Sequence, residues 1–347
     1  MKRITIIRIA LFVGTAISLY FVPWPIIGAW IRPLPDTVQG QLDEAVAHGF
    51  DGMIAYVDQA GKAPEYYAAG WHDRANKIPA RPNAYFKIAS ISKLYDAVAI
   101  AKLVHAGKLS LDGTLADYFP ELVGRIDYAD QITLRMMVQH RSGIPNITDT
   151  PNFWVYPPAS REESLERVLD LPASFEPGTD YQYSNTNYVL IDMLIEKVVP
   201  GTKFNYFQDV ILNPRGLTHT FGSMDQVDLD DMMSGYYVGV QEDLKASDYG
   251  TKLTSMVATA EDVGIFLRAL NDGSVFKEGE QEIYSSIYAY EHTGLMPGYE
   301  SIARYHPDMD AVVILFANTT HFEGYNWSIF ELTYSRILKI LRNSQTE

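Results

Sequence analysis

The strand signals of this chain sit at its two ends. Gly52-Met-Ile-Ala-Tyr-Val-Asp58 reads as a strand, a Gly/Lys/Pro turn follows, and Tyr66 to Trp71 reads as its hairpin partner. Near the other end, Tyr299 to Tyr305 and Ala311 to Ala317 flank the turn Pro307-Asp308-Met309-Asp310. The stretch from roughly 108 to 250 instead carries helical patches cut by Pro, Gly and Asp turns: Ile132 to His140, Glu162 to Leu171 and Tyr188 to Val198. An amphipathic helix is predicted from about Ile329 to Leu341. Strands from opposite ends share a sheet only if the ends come together. The predicted fold class is therefore α/β (α+β): an antiparallel sheet formed by N- and C-terminal segments, flanked by helices, with an inserted, mostly helical domain at about 108–250.

Length and composition narrow the chemistry. At 347 residues and 47% hydrophobic the chain supports a large core, and 20% charged with 12% aromatic residues excludes a disordered polar polymer. A formal charge of −15 lacks the footprint for gripping phosphate backbones, so no nucleic-acid partner is expected. The absence of cysteine excludes disulfides, thiol catalysis, Fe–S clusters and cysteine zinc sites. The eight histidines form no H-E-x-x-H and no pair at ligand spacing beside a carboxylate, and no Gly-rich phosphate loop occurs, so no metal or cofactor is expected.

Lys2, Arg3 and Arg8 precede an apolar run from Ile9 to Ile31, long enough to span a bilayer, although Pro23 and Pro25 would kink or end a helix. Residues 1–35 read as a signal peptide or membrane anchor, and 36–347 as one exported domain on the periplasmic or extracellular face. Ile27-Gly28-Ala29 is a passable cleavage site, whereas Gly14-Thr15-Ala16 would leave a short apolar region. The favoured reading is an export signal that stays as an anchor.

Three short motifs carry candidate chemistry. Ser90-Ile91-Ser92-Lys93 is an S-x-x-K; on a helix these positions share a face, placing the Lys93 ammonium beside the Ser90 hydroxyl. Ser90 at a helix N-terminus would also aim backbone N–H groups at an oxyanion. The bland alternative is a helix N-cap. A second copy, Ser274-Val-Phe-Lys277, falls in a loop and reads as chance. Tyr183-Ser184-Asn185 is the only Y-x-N; a phenol and a carboxamide two apart on a loop would relay a proton and hold a substrate amide, against a core tyrosine and a turn asparagine. His292-Thr293-Gly294 opens a strand, where glycine would let backbone approach a ligand and the Leu295 N–H would be a second oxyanion donor; the alternative is a strand-edge histidine.

In this order and at these separations the motifs resemble the serine β-lactamase and penicillin-binding superfamily, specifically its class C-like branch with the D-alanyl-D-alanine carboxypeptidases and related esterases. Phe86 to Lys93, Gly107 to Asp112, Ile132-Thr-Leu-Arg135 through His140-Arg-Ser-Gly-Ile-Pro145, Phe175-Glu-Pro-Gly178, Tyr183 to Tyr188 and His292 to Tyr299 extend the likeness over roughly residues 38 to 340. The resemblance implies a β-lactamase/transpeptidase-like fold with an active site between an α/β and a helical domain. It implies catalytic roles for Ser90 (nucleophile), Lys93 (activator) and Tyr183 (proton relay). Asn185, His292, Thr293, Gly294 and Leu295 would bind substrate. The implied activity is an acyl-enzyme hydrolase of amides or esters, favouring D-amino-acid peptides. Small-ester esterase and β-lactamase are alternatives within the family, and a non-catalytic penicillin-binding or sensor module is the alternative outside enzymology.

Two departures matter. His292 stands where β-lactamases have lysine, and a mostly neutral imidazole attracts a carboxylate less, which favours peptidase or esterase chemistry. The segment Gly250 to Thr259 lacks paired glycines, which bears on cleft shape. Asp209-Val-Ile-Leu212-Asn213 and His140 read as structural, Asn152 to Tyr156 as a cleft-lining loop or a satellite core, and Asn146, Asn318 and Asn326 as sequons.

Overall fold

The structure, a computed structural model, describes residues 2–249, 253 and 255–345. Its strands are β1 Gly52–Gln59, β2 Glu65–Asp73, β3 Ile78–Pro79, β4 Phe86–Lys87, β5 Thr220–Phe221, β6 Tyr236–Tyr237, β7 Val257–Ala258, β8 His292–Met296, β9 Tyr299–His306, β10 Ala311–Ala317 and β11 Thr319–Thr320. Six of them form one sheet in the order β3-β2-β1-β10-β9-β8. The seam is β1 against β10, antiparallel, with Met53 opposite Ala317 and Gln59 opposite Ala311. The sheet is thus built from both ends of the sequence, as the strand pattern predicts.

Alternation along β1 and β10 explains why both faces are covered. Met53, Ala55, Val57, Val313 and Leu315 pack with the helices Val38–Ala47 and Asn326–Asn343. Ile54, Tyr56, Ile314 and Phe316 point the other way, into the core shared with the helices Ser92–His105, Asn185–Val198 and Ala260–Asn271. β8 lies at the edge of the sheet, and its outer side meets the turn Ala89–Ile91.

Two helical elements are shorter than their sequence patterns, whereas Asn185–Val198 and Asn326–Asn343 extend beyond theirs. Leu134–Val138 replaces Ile132 to His140, because Thr133 caps its start and His140 leaves helical geometry at φ +56°. Arg161–Glu166 replaces Glu162 to Leu171, with Asp170 at φ +64°. At the N-terminus, the helix Lys2–Tyr20 contains the basic flank rather than following it. Its segment Arg3–Tyr20 has mean hydropathy 1.5, none of it buried, and by length and composition can cross a membrane. Trp24–Trp30 is a separate helix begun after Pro23, with Ala29 buried against the C-terminal helix side of the core. Arg336 locks the following segment in place by donating to the carbonyls of Arg32 and Pro33 at 3.0 and 2.7 Å.

Candidate active site

Ser90 does not open the long helix. It occupies the middle of the single turn Ala89–Ile91, immediately ahead of Ser92–His105, and the capping positions are Ile88 and Ile91. The Ser90 hydroxyl therefore caps neither element. Ala89 adopts φ +49°, a left-handed conformation that costs an L-residue about 1–3 kcal/mol and persists only where its surroundings over-determine it. Here the surroundings are tight. The Ile88 N–H donates to Met256 O at 3.1 Å, the Met256 N–H to Ser92 Oγ at 2.9 Å, and Ser301 Oγ to Ile88 O at 3.3 Å.

Gly294 allows that closeness. A Cβ there would stand 2.5 Å from Ile88 O and 2.3 Å from Ser301 Oγ. The sequence reading assigned this glycine to a ligand's approach; its space is taken instead by the protein's own backbone ahead of Ser90. One missing side chain brings β8 against the serine turn.

Lys93 follows within the first turn of the helix and is buried. Its ammonium donates to Ser90 Oγ at 3.2 Å and to Asn185 Oδ1 at 3.1 Å. The Tyr183 hydroxyl donates to the same Ser90 oxygen at 2.8 Å. Tyr183 lies in the coil before the helix Asn185–Val198, so the Y-x-N straddles a coil-to-helix boundary instead of lying wholly in a loop.

Residues 140–145 fix that boundary, and residues 174–178 brace them in turn. The Ser184 N–H donates to His140 Nδ1 at 3.1 Å, Ser184 Oγ and Thr186 Oγ1 both donate to Pro145 O, and Ser142 Oγ donates to Asn187 Oδ1 at 2.7 Å. The Gly178 N–H donates to Arg141 O and the Ser174 N–H to Gly143 O. Gly143, at φ +76°, has the Phe175 carbonyl where a Cβ would be. His140 itself stacks on Tyr183, centroids 4.2 Å apart. Burial, then the charge of Lys93, pushes its imidazole down to about 3, so it is neutral, and accepting at Nδ1 leaves its proton on the buried, unpartnered Nε2.

His292 opens β8 half-buried, its ring stacked over Tyr288 at 5.9 Å and 6.4 Å from the Tyr183 ring. Burial and then Lys93 lower it to about 4, so it carries no charge at neutral pH. Ser90, Lys93, Tyr183, Asn185, His292, Thr293 and Leu295 line one cavity of about 290 Å³. Gly294 lies beneath it. Ser274 is elsewhere, exposed in the loop after the helix Ala260–Asn271.

The sequence reading missed several liners. Asn146, read as a sequon, accepts from the Asn185 N–H at 2.9 Å and from Asn185 Nδ2 at 3.3 Å, and Thr148 accepts from Asn185 Nδ2 as well. Trp154 and Phe322 complete one wall. For Trp154 the signal is the aromatic run Asn152 to Tyr156, read as a cleft-lining loop or a satellite core, in which Phe153 is core and Trp154 faces the cavity; Phe322 lies outside that run. Asn318, another sequon, is fully buried. Of the segment Gly250 to Thr259, residues 250–252 and 254 lie outside the described residues.

The chain is similar to several known proteins. Protein flp of Staphylococcus aureus is 25% identical over 195 residues, 54% of this chain and 39% of flp, so the chain spans about two fifths of that relative. A beta-lactamase of Yersinia enterocolitica is 24% identical over 246 residues, 70% of this chain and 60% of that protein. The fold is shared with D-amino acid amidase from Ochrobactrum anthropi, with a TM-score of 0.79, 24% identity and coverage of 89% of this chain and 99% of that one. It is shared too with a penicillin binding protein from Bacillus halodurans, with a TM-score of 0.72, 21% identity and coverage of 86% and 98%. A family model described as Beta-lactamase matches residues 30–286, most of the sequence, and on that match the chain belongs to the beta-lactamase family.

Proposed function

We propose that this protein is a serine hydrolase that cleaves amide or ester bonds through an acyl-enzyme at Ser90. The observation that carries the reading is the double approach to one oxygen: Lys93 Nζ at 3.2 Å and Tyr183 Oη at 2.8 Å, both on Ser90 Oγ. A serine needs such neighbours to become a nucleophile. In the proposed cycle Ser90 Oγ bonds to the substrate carbonyl carbon while its proton passes to the Tyr183 oxygen, which acts as the relay beside Lys93. The backbone N–H groups of Ser90 and Leu295 hold the oxyanion. In a two-residue hairpin closed at Met296 and Tyr299, strand alternation turns the Leu295 N–H away from β9, toward the cleft. As the carbon–leaving-group bond breaks, Tyr183 returns the proton to the departing amine or alcohol, and water then releases the acid by the reverse route. Asn185, with Asn146 behind it, holds the substrate amide.

The favoured substrates are D-amino-acid-containing peptides or amides, with small esters second and β-lactams third. Two things support that order. His292 is uncharged where a lysine would attract the carboxylate of a β-lactam. The fold is shared with proteins described as D-amino acid amidase and D-stereospecific amidohydrolase. We further take residues 108–250 as a helical domain, residues 36–347 as an exported, class C-like unit, and the helix Lys2–Tyr20 as its tether on the periplasmic or extracellular face. The test is a steady-state comparison of a D-Ala-D-Ala peptide, a D-amino acid amide, a p-nitrophenyl ester and a chromogenic cephalosporin. Turnover of the first two above the cephalosporin is the expected result; a marked preference for the cephalosporin would reverse the order.

A further inference from the structure

One wall of the Ser90 cavity is aromatic, and the cycle above makes no use of it. Trp154 and Phe322 line the cavity and meet edge to face, with 5.7 Å between centroids. Each is braced from behind. Tyr249 packs on Trp154 at 5.5 Å and donates its hydroxyl to the Trp154 carbonyl at 3.4 Å. Phe153, buried in the core, meets Trp154 edge-on at 5.1 Å. Tyr237 meets Phe322 at 5.4 Å, and its hydroxyl accepts the Phe322 N–H at 3.2 Å.

The bracing matters energetically. Rings already held in place lose little freedom when a ligand arrives, and edge-to-face geometry suits a further ring. On the β8 side Leu295, 42% exposed, and Met296 add aliphatic surface. Phe322 is itself 39% exposed, so large apolar area faces solvent beside the reactive hydroxyl. At 290 Å³ the cavity lies near the lower bound of the roughly 300–1,000 Å³ of small-molecule sites, room for one ring-sized group beside the scissile bond.

We infer that Trp154 and Phe322 form a side-chain subsite that selects substrates carrying an aromatic or similarly large apolar group on the acyl side over those carrying a methyl. This rests on the reading of Ser90 as the acylated residue.

The test uses the full chain in detergent and two esters, p-nitrophenyl phenylacetate and p-nitrophenyl acetate, each rate corrected for its hydroxide-catalysed background. The wild type should favour the phenylacetate in kcat/KM by about tenfold or more. Trp154→Ala and Phe322→Ala should each cut that ratio by about fivefold, and Trp154→Phe should keep most of it. If Trp154→Ala fails to fold, Phe322→Ala, at a partly exposed position, decides alone. A wild-type ratio near one, or a ratio unmoved in the variants, overturns the subsite. A serine-directed fluorophosphonate followed by intact mass separates the two failures: an adduct at Ser90 with no ester preference removes the subsite only. No adduct and no turnover of either ester removes the Ser90 reading and the subsite with it.

Discussion

Tyr183 Oη lies 2.8 Å from Ser90 Oγ, joining the coil ahead of the helix Asn185–Val198 to the turn ahead of Ser92–His105. The phenol is placed by contacts to its neighbours: the ring by His140, the following N–H by the same imidazole, and the next two residues by Pro145 and Asn146. A proton carrier needs this positioning, because its effect depends on hydrogen-bond reach.

Tyr183→Phe removes one oxygen and leaves the ring stack in place. The expected result is a loss of about 10²–10⁴ in kcat/KM, expressed mainly in kcat. Steady-state kinetics with a p-nitrophenyl ester, on protein shown folded by circular dichroism, measures it. Retention of activity within threefold would assign the proton to Lys93 alone.

The two S-x-x-K copies separate cleanly by mass spectrometry. Ser90 has two polar neighbours on its oxygen, whereas Ser274 sits exposed where its N–H is held by Asp272 and its carbonyl by Arg215. A single acyl adduct is expected on the wild type and on Ser274→Ala, and none on Ser90→Ala. The opposite pattern would end the assignment.

Gly294→Ala tests the contact between β8 and the serine turn. The new methyl would overlap Ile88 O and Ser301 Oγ, so one element must shift. The expected stability loss is about 1–3 kcal/mol by urea unfolding. A larger effect is expected on kcat/KM, about tenfold or more, because the displaced segment carries Ser90. Activity lost in proportion to the unfolded fraction alone would show that the contact is only structural.

His140 predicts a pH dependence of stability. Its folded value of about 3 lies below the ordinary imidazole value of about 6.5, so between these the unfolded chain binds more protons. Stability is therefore lost as pH falls from about 6.5 toward 3. His140→Asn keeps a side chain that tolerates φ +56° and an oxygen able to accept the Ser184 N–H, but it does not titrate. The wild type should be the more stable at pH 7, with the gap in Tm shrinking by pH 4.5. A gap independent of pH, followed by thermal melts, would mean that the ring is not held neutral.

Beneath the site, Lys203 lies between Asp96 and Asp192, and Asp192 also pairs with Arg161. Burial opposes the Lys203 charge, but the two carboxylates outweigh it and hold the ammonium above its ordinary range. Lys203→Met leaves the buried Asp96 carboxylate uncompensated and should cost about 3–5 kcal/mol in urea unfolding. Adding Asp96→Asn should recover part of that loss; a double variant no more stable than the single one would place the cost in packing.

Much of the architecture was legible before any coordinates. The continuous apolar runs within Gly52 to Asp58 and Ala311 to Ala317 are local properties, and a strand apolar on both faces has to be covered on both. The helix ends were less legible. His140 and Asp170 take positive φ because of tertiary contacts, which hydrophobic periodicity does not register. Asn146 and Trp154 were misjudged or left open for a related reason. A sequon and an aromatic run look the same whether they face a cavity, a core or water.

By itself the sequence determined that strands from both ends build the sheet, and it singled out Ser90, Lys93, Tyr183, Asn185 and His292 as candidates, because periodicity and residue chemistry are carried locally along a chain. Only the tertiary structure decided that Ser90 precedes its helix, that Gly294 gives way to the backbone of Ile88 instead of a ligand, and that Trp154 and Phe322 close one wall around the serine. Those are distances between segments far apart in sequence. They follow from how two faces of one sheet are packed, which no short window of residues contains.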